Sequence, residues 1–150
     1  MYRIIKTDAT HPDFIELVKA LDAELAIRDG DEHDFYDQYN KIDQIKYALV
    51  AYEGDQAVGC GAIKAFDGET MEVKRMYVPP AKRGKGIASR LLQALEQWAA
   101  TLGYKRCVLE TGKKQPEAIA LYKKSQYQVI PNYGQYVGID NSVCFEKSLS

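Results

Sequence analysis

A short basic turn in the middle of the chain carries the residue types best suited to bind an anion. The turn, Lys82-Arg83-Gly84-Lys85-Gly86, joins three cations to two glycines, and no Asp or Glu occurs between residues 73 and 95. Glycine lets a ligand approach the backbone closely, and the first N–H groups of a helix have no partner inside that helix. If a helix follows the turn, its dipole adds further positive charge, so the sequence predicts a phosphate or pyrophosphate site.

The segments on either side of the turn are predicted to be a strand and a helix. Residues 71–78 form a strand-like run, which Pro79 and Pro80 end because proline has no backbone N–H. From Ile87 onward, apolar residues recur at steps of three and four, which indicates an amphipathic helix, and Gly103 suits its C-terminal cap. The alternative interpretation is a solvated basic turn without a ligand.

Two common phosphate-binding motifs do not fit the turn. A P-loop requires Lys after its second glycine, but Gly86 is followed by Ile87, and the dinucleotide motif requires Gly where the chain has Ser89. The run from Arg83 to Ala88 instead resembles the pyrophosphate-binding signature Q/R-x-x-G-x-G/A of the GNAT N-acetyltransferases.

Length and composition indicate one ordinary globular domain, residues 1–150. The chain is 46% apolar and 27% charged, with a net charge of −1, which argues against a nucleic-acid or membrane partner. Its three cysteines, Cys60, Cys107 and Cys144, are odd in number and widely spaced, as expected of reduced core residues in a cytoplasmic protein. No metal-ligand spacing, signal peptide or long apolar run is present, so neither a metal nor a membrane is expected.

The order of elements predicts an α/β fold. Helices are expected from Pro12 to before Arg28, from Ile87 and from Pro116, and Gly59 and Gly61 indicate a bulge or a close backbone approach. A strand joined through a helix to the 71–78 strand should lie parallel and adjacent to it. Strands are expected over residues 2–6, 46–52, 57–66, 71–78, 105–111, 127–130 and 143–147. This order resembles the GNAT fold over nearly the whole chain, which implies a mixed, mostly antiparallel, twisted sheet with helices on both faces.

A second segment strengthens the resemblance. Residues 115–127 are similar to the family pattern N-x-x-A-x-x-L-Y-x-x-x-G-F/Y, with Tyr122 and Tyr127 in place. Gln115 stands where the pattern has Asn, and Gln126 stands where it has Gly.

The resemblance implies acetyl transfer from acetyl-CoA to an amine. The backbone of Met76, Tyr77 and Val78 would pair with the pantetheine arm, and an N–H near Met76 would polarise the thioester. Tyr122 would donate a proton or a hydrogen bond to the leaving thiolate; the alternative is a tyrosine that merely covers the sheet. The pyrophosphate and cofactor contacts would come from Arg83, Gly84, Lys85, Gly86, Ile87, Ala88, Ser89 and Gln115.

The base is predicted from the cost of burying charge. Glu72 lies in a strand expected to be central, where an unpaired carboxylate is unfavourable, so it is a candidate to accept the amine proton. The alternative is a Glu72–Lys74 pair on one strand face, and Glu110 is the reserve candidate. Tyr133, Tyr136 and Asn132 are placed near the acceptor without further support.

The acceptor is the least determined part of the prediction. The acidic segment from Glu16 to Asp43 favours a cationic acceptor such as a polyamine, an aminoglycoside or a lysine side chain, although its carboxylates also suit solvent-facing helix sides. The aromatics of residues 35–40 form either a satellite core or an acceptor-pocket wall. A coenzyme A sensor without turnover is the rival function, and a homodimer formed through the last strand is the expected assembly if there is one.

Overall fold

A computed structural model of the chain describes residues 2–29 and 45–149. The predicted strands and helices are confirmed, with bounds that differ by one or two residues. Residues 35–40 and the second half of the acidic segment, residues 30–43, lie outside the described part. The strands are β1 (Tyr2–Thr7), β2 (Tyr47–Glu53), β3 (Gln56–Ala65), β4 (Thr70–Tyr77), β5 (Arg106–Gly112), β6 (Gln128–Ile130) and β7 (Ser142–Ser148); the helices are α1 (Pro12–Asp29), α2 (Ile87–Thr101) and α3 (Pro116–Lys124). The seven strands form a mixed, mostly antiparallel sheet, as predicted.

The chain divides into two compact units, of which the first holds residues 1–64 and 73–95. Its strands follow the order β1-β2-β3-β4, and β1 and β3 are each antiparallel to β2. α1 buries one face, including Phe14 and Val18, in a core with Val50 and Ala62. The core forms because the apolar residues of α1 recur at helical spacing opposite inward-facing strand residues.

Close packing of β3 against α2 explains its two glycines. A Cβ atom at Gly61 would lie 2.6 Å from the Met76 sulfur and 2.9 Å from a Leu95 methyl carbon. The register of the β2–β3 pair also shifts by one residue between Ala51 and Tyr52. Both sequence-based expectations, a bulge and a close approach, are therefore confirmed.

The second unit holds residues 65–72 and 96–150. Its strands follow the order β4-β5-β7-β6, and β4 runs parallel to β5, as predicted. β7 is antiparallel to β5 on one side and to β6 on the other. β6 covers β7 only at residues 144–146 and forms the edge of the sheet, so the expectation that the last strand could pair across a dimer stays a prediction.

The middle of β4 contains a residue in the left-handed region. Arg75 has φ 62°, which interrupts the alternation of side chains along the strand. Its side chain is 2% exposed and pairs with Asp22 of α1 at 3.1 Å, while its carbonyl accepts a hydrogen bond from the Cys60 thiol. Such a conformation costs about 1–3 kcal/mol and persists only where the surroundings enforce it. The ion pair with Asp22 and the hydrogen bond from Cys60 hold Arg75 in this conformation.

The C-terminal end of α3 shows how Gln126 replaces glycine. Gln126 has φ 74°, and the N–H groups of Gln126 and Tyr127 donate to the carbonyls of Lys123 and Tyr122. This pattern is a Schellman cap, which glycine normally closes. The turn geometry of the family pattern is thus retained despite the substitution, and Gln126 carries the backbone strain.

The three cysteines are free and buried, as predicted. Burial raises the pKa of Cys60 and Cys107 to about 12 and that of Cys144 to about 11, which makes them poor nucleophiles at neutral pH. No helix in the described ranges combines the length and apolar character needed to cross a membrane.

Replacing Asp22 with Ala should lower the free energy of unfolding by about 2–3 kcal/mol, because it removes a carboxylate that pairs with a buried guanidinium. Urea unfolding monitored by circular dichroism measures the change. Glu16→Ala in the same helix is the matched control, since the Glu16–Lys19 pair is about 70% exposed on both sides and its loss should cost less than about 0.5 kcal/mol. Equal effects of the two variants would contradict this role of Asp22.

Replacing Gln126 with Gly should raise the free energy of unfolding by about 0.5–1 kcal/mol, because glycine adopts a positive φ without strain. Ser125→Gly is the control one residue earlier, where φ is −84° and glycine brings only an entropic cost. The same urea titration distinguishes them. Destabilisation by Gln126→Gly would show that its left-handed conformation carries no strain.

Candidate functional site

In the first unit, the basic turn leads directly into the N-terminus of α2. Residues 80–82 form a short 3₁₀ turn, and α2 begins at Ile87. The Arg90 N–H donates to the Gly86 carbonyl at 3.1 Å, so Gly86 is the N-cap. The N–H groups of Ile87, Ala88 and Ser89 therefore precede the first bonds inside the helix, where an anion can bind them.

Gly84 and Gly86 are required by their backbone conformations. Their φ angles are 80° and 82°, and a Cβ at either position would meet no atom within 4 Å. The protein itself leaves this space open. The glycines thus set the path of the turn and keep its outer side accessible to a ligand.

The Arg83 side chain forms hydrogen bonds with other residues of the first unit. Its Nε donates to the Val78 carbonyl and one terminal nitrogen donates to Glu24 of α1, both at 2.8 Å. The guanidinium also lies 5.7 Å from the centre of the Tyr77 ring. Arg83 therefore ties the turn to β4 and α1, and its predicted contact with pyrophosphate stays a prediction.

The two lysines of the turn differ in their surroundings. Lys82 donates to Glu53 at 2.7 Å, which raises the pKa of Lys82 and lowers that of Glu53. For Lys85, no hydrogen bond or ion pair is found within residues 2–29 and 45–149. Lys85 is exposed and is the cation of the turn best placed to bind an incoming anion.

The end of β4 leads into the turn. Met76 and Tyr77 are its last residues, and the left-handed Arg75 directly precedes them. This irregularity directly precedes Met76, where the sequence analysis expects the N–H that polarises the thioester. The Val78 carbonyl already accepts from Arg83, which leaves one of its two lone pairs for a further partner.

In the second unit, α3 carries Tyr122 as its buried residue. The Tyr122 ring lies 5.9 Å from the rings of both Tyr127 and Phe145. Burial, and then the charge of Glu110, raise the pKa of Tyr122 well above its ordinary value. The phenol is therefore neutral at physiological pH and available as a donor.

Glu72 is buried, at 7% exposure, as the cost argument requires. The Tyr133 hydroxyl donates to its Oε2 at 2.6 Å, the distance of a strong charge-assisted hydrogen bond. Burial, and then Glu72, raise the pKa of Tyr133 far above its ordinary value, so the phenol keeps its proton. This hydrogen bond is the best-defined contact of Glu72, the predicted base.

Glu110, the reserve candidate, faces the same side of the sheet. Glu72 pairs in register with Val108, and Glu110 lies two residues further along β5. The Ser142 hydroxyl donates to Glu110 at 2.7 Å. Burial raises the pKa of Tyr136, and the nearby charges of Glu110 and Glu72 raise it further. Tyr136 therefore lies close to both carboxylates.

The segment after β6 places the tyrosines over this face. The Asn132 amide donates to the carbonyls of Tyr136 and Ile139 at 3.1 and 3.0 Å and so closes the loop. The Tyr133 ring packs edge-on against Phe66 and Tyr136, at 5.1 and 5.7 Å between ring centres. The sequence analysis named the three loop residues, and the structure now gives each of them a partner.

Gln115 is the N-cap of α3, but its side chain makes no capping hydrogen bond. Its predicted contact with the cofactor stays a prediction.

Two features of the site were not anticipated. The left-handed Arg75 has no sequence signal, since arginine rarely adopts this conformation. The Tyr133–Glu72 bond joins residues 61 positions apart. Turn-forming residues at 131–134 predict a turn there, but they do not indicate which strand Tyr133 contacts.

Comparison with known proteins gives one family and many relatives. The model of the acetyltransferase (GNAT) family matches residues 14–127. An IAA acetyltransferase of Azospirillum brasilense is 41% identical over 102 residues, which are 67% of this chain and 67% of that protein. The chain spans between 39% and 67% of the length of the curated relatives it matches.

Solved structures agree with this match. A candidate acyl-CoA N-acyltransferase of Klebsiella pneumoniae has a TM-score of 0.84 and 34% identity, over 100% of this chain and 99% of that one. A GNAT family acetyltransferase of Elizabethkingia anophelis with acetyl-CoA bound has a TM-score of 0.71 at 20% identity, over 98% and 97% of the two chains, and shows likeness of fold alone.

Proposed function

Because the chain belongs to the GNAT acetyltransferase family, we propose that it transfers an acetyl group from acetyl-CoA to a primary amine by direct attack in a ternary complex. The observation that carries the proposal is the turn at residues 83–89. Its two left-handed glycines lead into a helix N-terminus whose first N–H groups have no partner inside the helix. This arrangement suits the pyrophosphate of coenzyme A.

The turn would hold the cosubstrate mainly through its backbone. The N–H groups of Ile87, Ala88 and Ser89 would bind the pyrophosphate, and Lys85 would add a full charge. Arg83 would contribute chiefly by fixing the path of the turn, since two of its five donors already bind Val78 and Glu24. The backbone at the end of β4, at Met76, Tyr77 and Val78, would pair with the pantetheine arm.

Proton movements in the reaction would involve two residues of the second unit. As the amine nitrogen bonds to the thioester carbon, Glu72 would accept the proton that the nitrogen loses, with Glu110 as the alternative acceptor. The carbon–sulfur bond then breaks, and Tyr122 would stabilise the departing thiolate. A thiol has a pKa of about 8.5, far below that raised for Tyr122, so a hydrogen bond to the thiolate is favoured over complete proton transfer.

The acceptor class follows from weaker observations. Glu72 and Glu110 lie on one sheet face, beside Tyr133 and Tyr136. Together these carboxylates and aromatic rings suit a cationic amine with an apolar body. A polyamine, an aminoglycoside and a lysine side chain are therefore the first acceptors to test.

Isothermal titration with acetyl-CoA tests the cosubstrate site. The wild type should bind one equivalent, and Gly86→Trp should weaken binding by about 100-fold or more, because the indole covers the helix N-terminus. Gly54→Trp is the matched control: Gly54 also has a positive φ and open space around it, but lies in the β2–β3 hairpin. Equal affinity in wild type and Gly86→Trp would reject the site. Arg83→Glu is a poor test, because it also breaks contacts with Val78 and Glu24.

Turnover separates the enzyme from a coenzyme A sensor. We expect release of free thiol with spermidine, kanamycin or a lysine-containing peptide, and a loss of about 100-fold in kcat for Tyr122→Phe at unchanged acetyl-CoA affinity. Acetyl-CoA binding without turnover on any acceptor would favour the sensor. Full activity of Tyr122→Phe would exclude the proposed role of its hydroxyl.

A further inference from the structure

The Tyr133 hydroxyl is held in one position before any substrate binds. Asn132 closes the loop through two hydrogen bonds, and Phe66 and Tyr136 pack against the Tyr133 ring. A tyrosine has only two side-chain torsions, so these contacts fix its oxygen with little remaining freedom. The oxygen lies 2.6 Å from Glu72 Oε2.

We propose that Tyr133 is a positioning residue for the reaction: its hydroxyl fixes the orientation of the Glu72 carboxylate that accepts the proton of the amine. This inference rests on the proposed function. Tyr133 touches the carboxylate and takes no part in bond making or breaking. Its contribution is a preorganised base, which avoids the cost of orienting a free side chain in the transition state.

The chemistry of the phenol suits this task. A donor that keeps its proton at all working pH values cannot compete with Glu72 as a base, and burial and Glu72 together hold the Tyr133 pKa far above its ordinary range. A hydrogen bond donated to a carboxylate also favours the ionised form, which is the form that accepts a proton. Tyr133 thereby keeps Glu72 both oriented and ready.

Other titratable groups act on the same site and bear on the test. Glu110 of β5, Cys144 of β7 and Tyr136 of the loop lie close enough to influence the tyrosine pair electrostatically, and Ser142 donates to Glu110. These groups remain unchanged when only the Tyr133 hydroxyl is removed. A change in pH dependence can therefore be assigned to that hydroxyl.

Tyr133→Phe is the test, because it deletes the hydroxyl and keeps the ring against Phe66 and Tyr136. With the best acceptor of the panel, kcat should fall by about 10-fold or more, and the acidic limb of the pH–rate profile should move to higher pH. The acetyl-CoA affinity should not change. Tyr104→Phe, a hydroxyl deletion in the loop between α2 and β5, should leave both readouts at their wild-type values.

A second readout works without turnover. In protein labelled with ¹³C-glutamate, the chemical shift of the Glu72 carboxylate, assigned with Glu72→Gln, should differ between Tyr133→Phe and wild type at neutral pH, because the hydrogen bond is lost. Asn132→Ala, which loosens the loop, should shift it in the same direction by a smaller amount. This variant also serves if Tyr133→Phe fails to fold.

The outcomes are separable. Wild-type kcat and an unmoved acidic limb in Tyr133→Phe would overturn the inference and leave the proposed function intact. A wild type that binds acetyl-CoA but acetylates no acceptor would overturn the proposed function, and the inference with it, whatever the variants show.

Discussion

The ion pair between the buried Arg75 guanidinium and the partly exposed Asp22 carboxylate supports the strand on which the candidate site depends. A left-handed arginine inside β4 is stable only if contacts with its neighbours offset the conformational cost. Asp22 and the Cys60 thiol make such contacts. Upstream of this residue the strand carries Glu72; downstream it carries Met76 and leads into the anion-binding turn. One irregular residue thus separates the segment expected to move a proton from the segment expected to hold the cosubstrate.

The charges of the basic turn are divided between structure and binding. Lys82 and Arg83 are paired with Glu53 and Glu24, so they contribute less net field to a ligand than their formal charges imply. These pairs hold the turn in the path that its left-handed glycines permit. The attraction for an anion then comes from backbone N–H groups and Lys85. Backbone donors suit this role because they are already oriented and lose no side-chain entropy on binding.

The sequence is sufficient to predict the order and bounds of the elements, because hydrophobic periodicity and the punctuation by Pro and Gly are local properties. It is also sufficient for the GNAT resemblance, since the residues from Arg83 to Ala88 are contiguous. It does not predict the conformation of Arg75, the partner of Arg83 or the Tyr133–Glu72 bond. Each of these depends on which distant side chain the fold brings close, and no local pattern encodes that. Whether β6 or β7 lies at the sheet edge is likewise decided by long-range pairing.

Burial acts in opposite ways on the tyrosines and the carboxylate of the second unit. It stabilises the neutral phenols of Tyr122, Tyr133 and Tyr136, but it penalises an ionised Glu72. The hydrogen bond from Tyr133 offsets that penalty, because a phenol that retains its proton can always donate. Protonation would also remove the penalty, but a protonated carboxyl cannot accept a further proton. A tyrosine donor is the neutral partner that keeps the charge and orients it.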